Sequence, residues 1–353
     1  MRIGAVILNW NGWRDTIACA ETLRCPKYHE LEIVVVDNGS KDQSVERLLD
    51  WSASRSRVLM EESAEWMGDG VSRCWAWTER RKPAGRFDRL VLVECRHNLG
   101  FAGGCNIGIR YVMKTGADTI LLLNNDVEAD GDLLSRLARE SERDKGIGIL
   151  APTVLEYSAR GEVQSAGGAM NLWTGRGRLL GAGRKYEAIG DAVVDVDWVS
   201  GAALMIRRAV LEVLGMLDER FFLTYEETDY CLRARRHGYR VVVVSDAAVY
   251  HKGGASMSGL IAEYYLTRNR PLFMAKNARP IQWPTFLGFY AVGTLNRIIK
   301  FLWSGEWAVA QAVIRGFVAG IRLAIQERLG SGRSDGSCKS RYDQGDESTR
   351  GLW

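Results

Sequence analysis

The sequence predicts an α/β fold with a mostly parallel central sheet, continued at its C-terminal end by helices. Three observations predict it. Short apolar runs rich in β-branched residues alternate with helix-length segments through the first half, the pattern of βαβ units with right-handed crossovers. The polar clusters NWNG, DNGSKD, RHNLGFAGG and NND each follow such a run. Ligands of open α/β sheets sit beyond the carboxyl ends of the strands, so these clusters predict one shared site. From about residue 260 the spacing of apolar residues becomes helical and stays so almost to the end.

The elements follow in order. Residues 3–10 (IGAVILNW) form the first strand, and residues 13–25 have helical character. Residues 31–40 (LEIVVVDNGS) give a second strand running into a turn, followed by a helix at 44–53. Residues 52–88 carry no clean period and read as an insertion, with Trp66, Trp75 and Trp77 arguing against full disorder. A third strand at 90–98, a glycine-rich helix at 102–116 and a fourth strand at 119–126 (TILLLNND) follow. Residues 225–237 are helical with Gly238 as C-terminal cap, and YRVVVVS is a further strand. The predicted division is a catalytic domain at 1–258, a helical region at 259–330 and a polar, Gly/Ser-rich disordered tail at 331–353.

Composition narrows the class. Of the 353 residues, 46% are hydrophobic and 25% charged, as in ordinary globular proteins, and a net charge of +4 does not indicate a nucleic-acid partner. The seven cysteines are odd in number and form no C-x-x-C pair, so neither a disulfide framework nor a zinc site is expected, and a reducing cytosol fits best. The apolar run at the N-terminus is too short for a signal peptide. No segment reaches about 18 uninterrupted apolar residues, the length of a spanning helix.

Several motifs carry chemistry. Asp37 and Asn38 stand just past a buried strand, where Asp37 suits a pyrimidine imide N–H and a ribose hydroxyl; an Asp-Asn-Gly turn explains them equally simply. NLGFAGGCNIG (98–108) permits close backbone approach and opens a helix whose free N–H groups suit phosphate, although a tight turn uses glycine in the same way. It is neither a dinucleotide fingerprint nor a Walker loop. Glu226, Glu227 and Asp229 cluster at a helix start; Thr224 with Glu227 makes a capping box, and the remaining acids exceed what capping needs. Clustered carboxylates raise one another's pKa, which suits a general base. His251 ends a strand, where a neutral imidazole can share Mg2+ or Mn2+ with Asp126.

Together VILNWNG, VVVDNGSKDQS, NLGFAGGCNIG, LLLNND, WVSGAALMIRR, FFLTYEETDYCLRARRHGYR and YHKGGAS resemble, in this order over residues 3–270, the family two glycosyltransferases, especially the rhamnosyltransferase-like branch. The resemblance implies a Rossmann-like nucleotide-diphospho-sugar transferase (GT-A) fold. It also implies an inverting, metal-dependent hexosyltransferase of polysaccharide biosynthesis. It carries donor contacts onto Asn9, Asn11, Asp37, Asn38, Asn98, Gly100, Gly103, Asn106, Asn124, Asn125, Asp126, Ser200 and Gly201, and metal contacts onto Asp126 and His251. The proton acceptor falls among Glu226, Glu227 and Asp229. NND stands where the family has Asp-x-Asp, and Glu226–Glu227 where it has Glu-Asp. The implied partners are a dTDP-, UDP- or GDP-linked sugar and a glycan or lipid-linked acceptor. A nucleotidyltransferase of related fold is the alternative, but AVILNWNG lacks its Gly-rich, basic N-terminal loop.

Residues 306–328 place Gln311, Arg315, Arg322 and Gln326 in one narrow polar stripe on an otherwise apolar helix. Such a helix suits a peripheral position on the cytoplasmic face of the cell membrane, or packing against the catalytic domain or a homodimer partner.

Overall fold

The computed structural model describes residues 1–23, 30–55, 59–61, 67–68, 70–78, 89–188, 190, 192–253 and 259–330. The tail at 331–353, Trp66, Cys25 and Cys338 lie outside the described residues, as do 79–88 of the insertion. By chain contacts two units form, one from Met1–Ala169 and Arg178–Ala255, the other from Met170–Gly177 and the chain from Ser256 onward.

The first unit is built on β1 (Ile3–Asn9), α1 (Trp13–Thr22), β2 (Leu31–Asp37), α2 (Ser44–Arg55), β3 (Leu59–Glu61), β4 (Val71–Thr78), β5 (Arg89–Cys95), α3 (Gly100–Lys114) and β6 (Thr119–Asn124). Then come β7 (Val127–Ala129), α4 (Leu133–Arg143), β8 (Ile147–Glu156) and β9 (Val163–Ser165). After β10 (Gly168–Asn171) and β11 (Arg176–Leu179), a two-stranded sheet whose residues Met170–Gly177 are counted in the second unit, follow β12 (Val193–Asp195), β13 (Ala203–Arg207), α5 (Arg208–Leu214), α6 (Glu226–Arg236) and β14 (Arg240–His251).

The large sheet runs β12-β14-β8-β13-β6-β1-β2-β5-β4-β3. Its heart is parallel: β1 pairs with β2 and β6, and β2 with β5. These strands are apolar on both faces because helices cover both, as crossover connections require. Antiparallel strands make the sheet mixed, β12 and β7 on β14 and β9 on β8 among them. β13 enters antiparallel between β6 and β8, and the insertion contributes β4 and β3 antiparallel on the outer edge of β5. Trp75 and Trp77 of β4 are buried, so this part of the insertion belongs to the core. β14 is longer than the strand expected from YRVVVVS, running to His251 with a register shift between Val244 and Ala248.

Helix α3 lies tightly on β1 and β2. A Cβ at Gly104 would collide with Leu8, and one at Gly108 with Val6. These glycines serve helix–sheet approach. Cys19, Cys74, Cys95, Cys105 and Cys231 are free and buried, and burial pushes the Cys95 and Cys231 thiols up to about 12. They behave as small apolar side chains, inert as nucleophiles.

In the second unit α7 (Gly259–Asn277), α8 (Trp283–Trp303) and α9 (Trp307–Gly330) pack together. On α9 the buried face is small: Ala310, Ala312, Val313, Gly316, Gly320 and Ala324. Gly316 sits against the Tyr264 carbonyl and Gly320 against that of Arg268. Tyr290 stacks between Phe286 and Phe317, with centroids at 5.4 and 5.2 Å, and donates its hydroxyl to the Thr267 carbonyl at 3.0 Å. Over its most apolar 18-residue stretch, α9 is long and apolar enough to cross a membrane, with mean hydropathy 1.6 despite Arg315 and Arg322. The count of uninterrupted apolar residues missed it because two arginines break the run without outweighing it.

Candidate active site

The turn after β1 is held from below by buried side chains. Asn9 donates to Asp37 Oδ2 at 2.7 Å and to Ser40 Oγ at 3.2 Å, and accepts from Thr16 Oγ1 at 2.6 Å. Asp37 also accepts from the Ser40 amide (3.0 Å) and hydroxyl (2.6 Å). Burial pushes the Asp37 carboxyl up, and the bonds from Ser40 and Asn9 pull it back. Asn9 and Asp37 have no exposed surface. In this structure both are engaged in fixing the β1 and β2 turns. Asn125 likewise turns inward, donating to the Gly12 carbonyl and Thr16 Oγ1, each at 3.2 Å. Asn11, at φ +52, is exposed, with its amide on Ser40 Oγ and its side chain accepting from the Lys41 amide.

The glycine-rich segment is also engaged within the protein. The Phe101 and Ala102 amides donate to the Phe222 carbonyl at 2.6 and 3.4 Å, so the start of α3 is capped by protein and is not open to phosphate. Gly100, at φ +73, leaves room for that carbonyl and the Phe222 ring, which a Cβ would strike, while a Cβ at Gly103 would press on Leu99. Asn38 ties the loop from behind, donating to Asn98 Oδ1 and the Gly100 carbonyl and accepting from the Leu99 amide, all at 3.0 Å. Asn98 also accepts from the Gly100 amide at 2.8 Å. Asn106 is spent clipping α3 to Leu217, through both its oxygen and its nitrogen, and to Glu219. These amides therefore shape the loop from inside.

At the end of β6 the chain turns outward. Asn124 stays partly exposed, its amide bonded to the Ala202 carbonyl, which brings Ser200 and Gly201 beside it. Asp126, 6% exposed, lies 3.2 Å (Oδ1) from His251 Nε2. The pairing of β7 with β14, which sets Val127 opposite His251, makes this meeting possible. On its other nitrogen, His251 Nδ1 lies 2.8 Å from Gln164 Oε1, and Gln164 Nε2 donates to Glu156 Oε2 at 3.2 Å. Among the described residues no cluster of three or more His, Cys, Asp and Glu side chains surrounds this point. A cation here would take two protein ligands and complete its shell from substrate. The pair suits such a cation, because an imidazole nitrogen and a carboxylate oxygen, both ligand atoms for Mg2+ or Mn2+, lie 3.2 Å apart and converge on one point.

The acids of α6 separate into three roles. The expected capping box is absent: Tyr225 is the N-cap at φ +73, without a side-chain cap bond. Phe222, Thr224 and Tyr225 all hold positive φ, each costing on the order of 1–3 kcal/mol, strain that gathers at functional sites. Glu226 is buried, and its carboxyl is held well above the usual range by burial and by the adjacent charge of Glu227. Glu227 is partly exposed beside Gly201, and burial of its carboxyl raises its pKa as well. The Oε2 atoms of both lie out of solvent without a hydrogen-bond partner. Asp229, expected among the catalytic acids, pairs with Arg233 at 2.9 Å, and Arg233 donates onward to the Leu214 and Met216 carbonyls. It secures α6 to the preceding loop.

Among the expected site residues Asn11, Asn98, Asn124, Ser200, Gly201, Glu227 and His251 keep exposed surface, and Asp126 is buried against His251. Sequence reading missed Gln164 and Glu156, which sit in no recognisable motif and meet His251 only through the pairing of β8 with β9 and β14. It also passed over Phe222, whose carbonyl caps α3.

The family description "Glycosyltransferase like family 2" matches residues 78–266. The Haloferax volcanii low-salt glycan biosynthesis hexosyltransferase Agl10 is 28% identical over 195 residues, 54% of this chain and 61% of its own length. The Shigella flexneri dTDP-rhamnosyl transferase RfbF is 23% identical over 205 residues, 55% and 66% of the two chains. The Mycobacterium tuberculosis N-acetylglucosaminyl-diphospho-decaprenol L-rhamnosyltransferase is 26% identical over 190 residues, 47% and 60%. The chain therefore spans less than two thirds of the length of each of these relatives. Among solved structures, the mannosyltransferase PcManGT from Pyrobaculum calidifontis, in complex with GDP-Man and Mn2+, superposes with TM-score 0.51 at 14% identity over 91% of this chain and 87% of that one. GalNAc-T7 with UDP, GalNAc and Mn2+ gives 0.52 at 15% over 79% and 52%. These structures share the GT-A fold. With a parallel heart flanked by an antiparallel strand, and more than half its length matched, this chain belongs to the glycosyltransferase family 2.

Proposed function

We propose that this protein moves a sugar, rhamnose-like by its relatives, from a nucleoside diphosphate to a hydroxyl of a glycan or lipid-linked glycan, inverting the anomeric carbon with Mg2+ or Mn2+ as cofactor. The observation that supports it most is the Asp126–His251 pair at 3.2 Å, set at the strand ends of a fold whose first unit also holds an acid pair with undonated oxygens. A divalent cation bound by Asp126 and His251 would supply the charge that stabilises a departing diphosphate.

The chain's own groups do the rest. Glu227 accepts the proton of the acceptor hydroxyl, which satisfies its bare oxygen as it arrives. Its raised pKa makes it a stronger base than a solvated carboxylate, and Glu226 beneath it stays protonated while Glu227 carries the charge. Asn124, Ser200 and Gly201 line the donor side, and the Asn9–Asp37–Ser40 network holds the turn where the nucleoside rests. Glu227→Gln keeps shape and removes the proton acceptor, so donor binding should survive while turnover falls by roughly 10²–10⁴. Turnover at the wild-type rate would return the acid pair to a structural role.

A second observation favours a lipid-linked acceptor. In the second unit α9 packs largely through glycine and alanine, while several large apolar residues of α8 and α9 face outward. Val292, Leu295 and Ile299 on α8, and Ile314, Val318 and Ile325 on α9, are exposed, and Trp303 and Trp307 at the turn between these helices are 92% and 69% exposed. Small residues inward, large apolar residues outward and tryptophans at helix ends are the arrangement of helices in contact with lipid. Arg315 and Arg322 lie on the exposed face of α9, where they meet anionic head groups when the helix rests in the interface. Exchanging Ile299 and Val318 for glutamate should release the full chain from anionic liposomes in co-sedimentation. Undiminished binding, or binding by neither form with wild type found as a dimer, would assign the face to a protein partner.

A further inference from the structure

We propose that Gln164 and Glu156 are positioning residues that set the proton on His251 and so prepare it as a metal ligand. The proposal rests on the metal reading above. It begins with what each group can donate. Glu156 Oε2 only accepts, so the Gln164 amide must turn its NH2 toward it, and Nε2 does lie 3.2 Å away. That orientation leaves Gln164 Oε1, an acceptor, 2.8 Å from His251 Nδ1. Nδ1 must then carry hydrogen. In the neutral imidazole Nε2 is consequently bare, with its lone pair directed at Asp126 Oδ1, 3.2 Å away. One carboxylate thus fixes, through one amide, which nitrogen of a histidine is free.

The sheet makes the chain of contacts rigid. Glu156 ends β8 and His251 ends β14, and these two residues are direct partners in the parallel register. Gln164 is central in β9, which pairs antiparallel with β8 between Val154–Ser165 and Leu155–Val163. A register shift between those two pairs aims Gln164 at both neighbours. Two strand ends and a short edge strand therefore hold three side chains whose order of donation runs one way. Outer partners of this kind orient metal-binding histidines and raise their basicity.

Two measurements on the full-length protein test this. With Mg2+ and nucleoside diphosphate present, 15N ring shifts and couplings of His251, assigned by their loss in His251→Ala, should show hydrogen on Nδ1. Gln164→Leu should move the population toward Nε2–H. Mn2+ titration followed by electron paramagnetic resonance, with nucleoside diphosphate present, should then give an affinity lowered about 10–100-fold in Gln164→Leu. Glu156→Gln touches neither His251 nor Asp126 by side chain, yet lets the Gln164 amide reverse, so it should weaken Mn2+ in the same direction by less. Circular dichroism melts confirm that each variant is folded. Wild-type tautomer and wild-type Mn2+ affinity in folded Gln164→Leu overturn the proposal. Equal Mn2+ affinity in wild type and Asp126→Ala overturns the metal reading instead. That failure is recognisable because it appears in the wild type, whatever Gln164 does.

Discussion

Glu226 and Glu227 are chemically identical neighbours with different surroundings. Glu226 is buried under Glu227, and both effects on its carboxyl, burial and a like charge, favour the protonated form. A folded-state pKa raised above the unfolded one means stability that is complete below the ordinary carboxylate range and is lost as pH rises through the raised value. Glutamine stays neutral throughout, so Glu226→Gln should match wild type in acid and exceed it near neutrality. A gain of about 1 kcal/mol would raise the melting temperature by roughly 2–4 °C. Equal melting temperatures for the two proteins at pH 4 and at pH 8 would show that Glu226 carries no such penalty. The same shifts predict that the acidic limb of the activity profile, set by Glu227, lies above the usual carboxylate range. At this scale the sequence paired Asp126 with His251, and the structure places the two side chains 3.2 Å apart. The sequence was not legible for Asn9, Asp37, Asn38, Asn106 and Asn125. Polar residues just past a strand can point to solvent or back into the turn, and only the hydrogen-bond partners decide.

Elements show the same ambiguity in their glycines. The segment 98–108 reads as a loop for a ligand, yet Gly100 makes room for Phe222, and Gly104 and Gly108 let α3 settle on β1 and β2. Glycine permits close approach of any partner, and the sequence does not say which. The helices of the second unit offer a matched pair for measurement. Gly288 on α8 has no neighbour that a Cβ would meet, so Gly288→Ala should stabilise by about 0.5–1 kcal/mol through helix propensity. Gly320 on α9 is as helical, but a Cβ there would meet the Arg268 carbonyl at 2.5 Å, so Gly320→Ala should destabilise. Thermal melts that rise for both variants would contradict the close α7–α9 contact. Propensity was readable from sequence in both cases; the contact that reverses its sign was not. The polar stripe of α9 was legible as well, since Gln311, Arg315, Arg322 and Gln326 are all exposed. Its buried side proved to be the small residues, leaving Ile314, Val318 and Ile325 outside.

For the whole molecule, alternation of strands and helices was enough to read a parallel sheet with right-handed crossovers, but not the strand order β5-β2-β1-β6. The antiparallel entry of β13 was hidden, since an apolar run such as ALMIR reads alike in either direction. That strand matters, because it carries Ser200 and Gly201 to the end of β6. Asp126→Ala should leave this frame standing and abolish transfer, since the carboxylate supports no strand turn that other bonds do not already hold. The most direct measurement is proton nuclear magnetic resonance of the full-length protein turning over dTDP-, UDP- and GDP-sugars, with and without Mn2+. We expect one donor class to release sugar of inverted anomeric configuration in the first turnovers, dependent on Mn2+ and lost in Asp126→Ala and Glu227→Gln. Retained configuration, or equal turnover by wild type and both variants, would contradict the proposed chemistry.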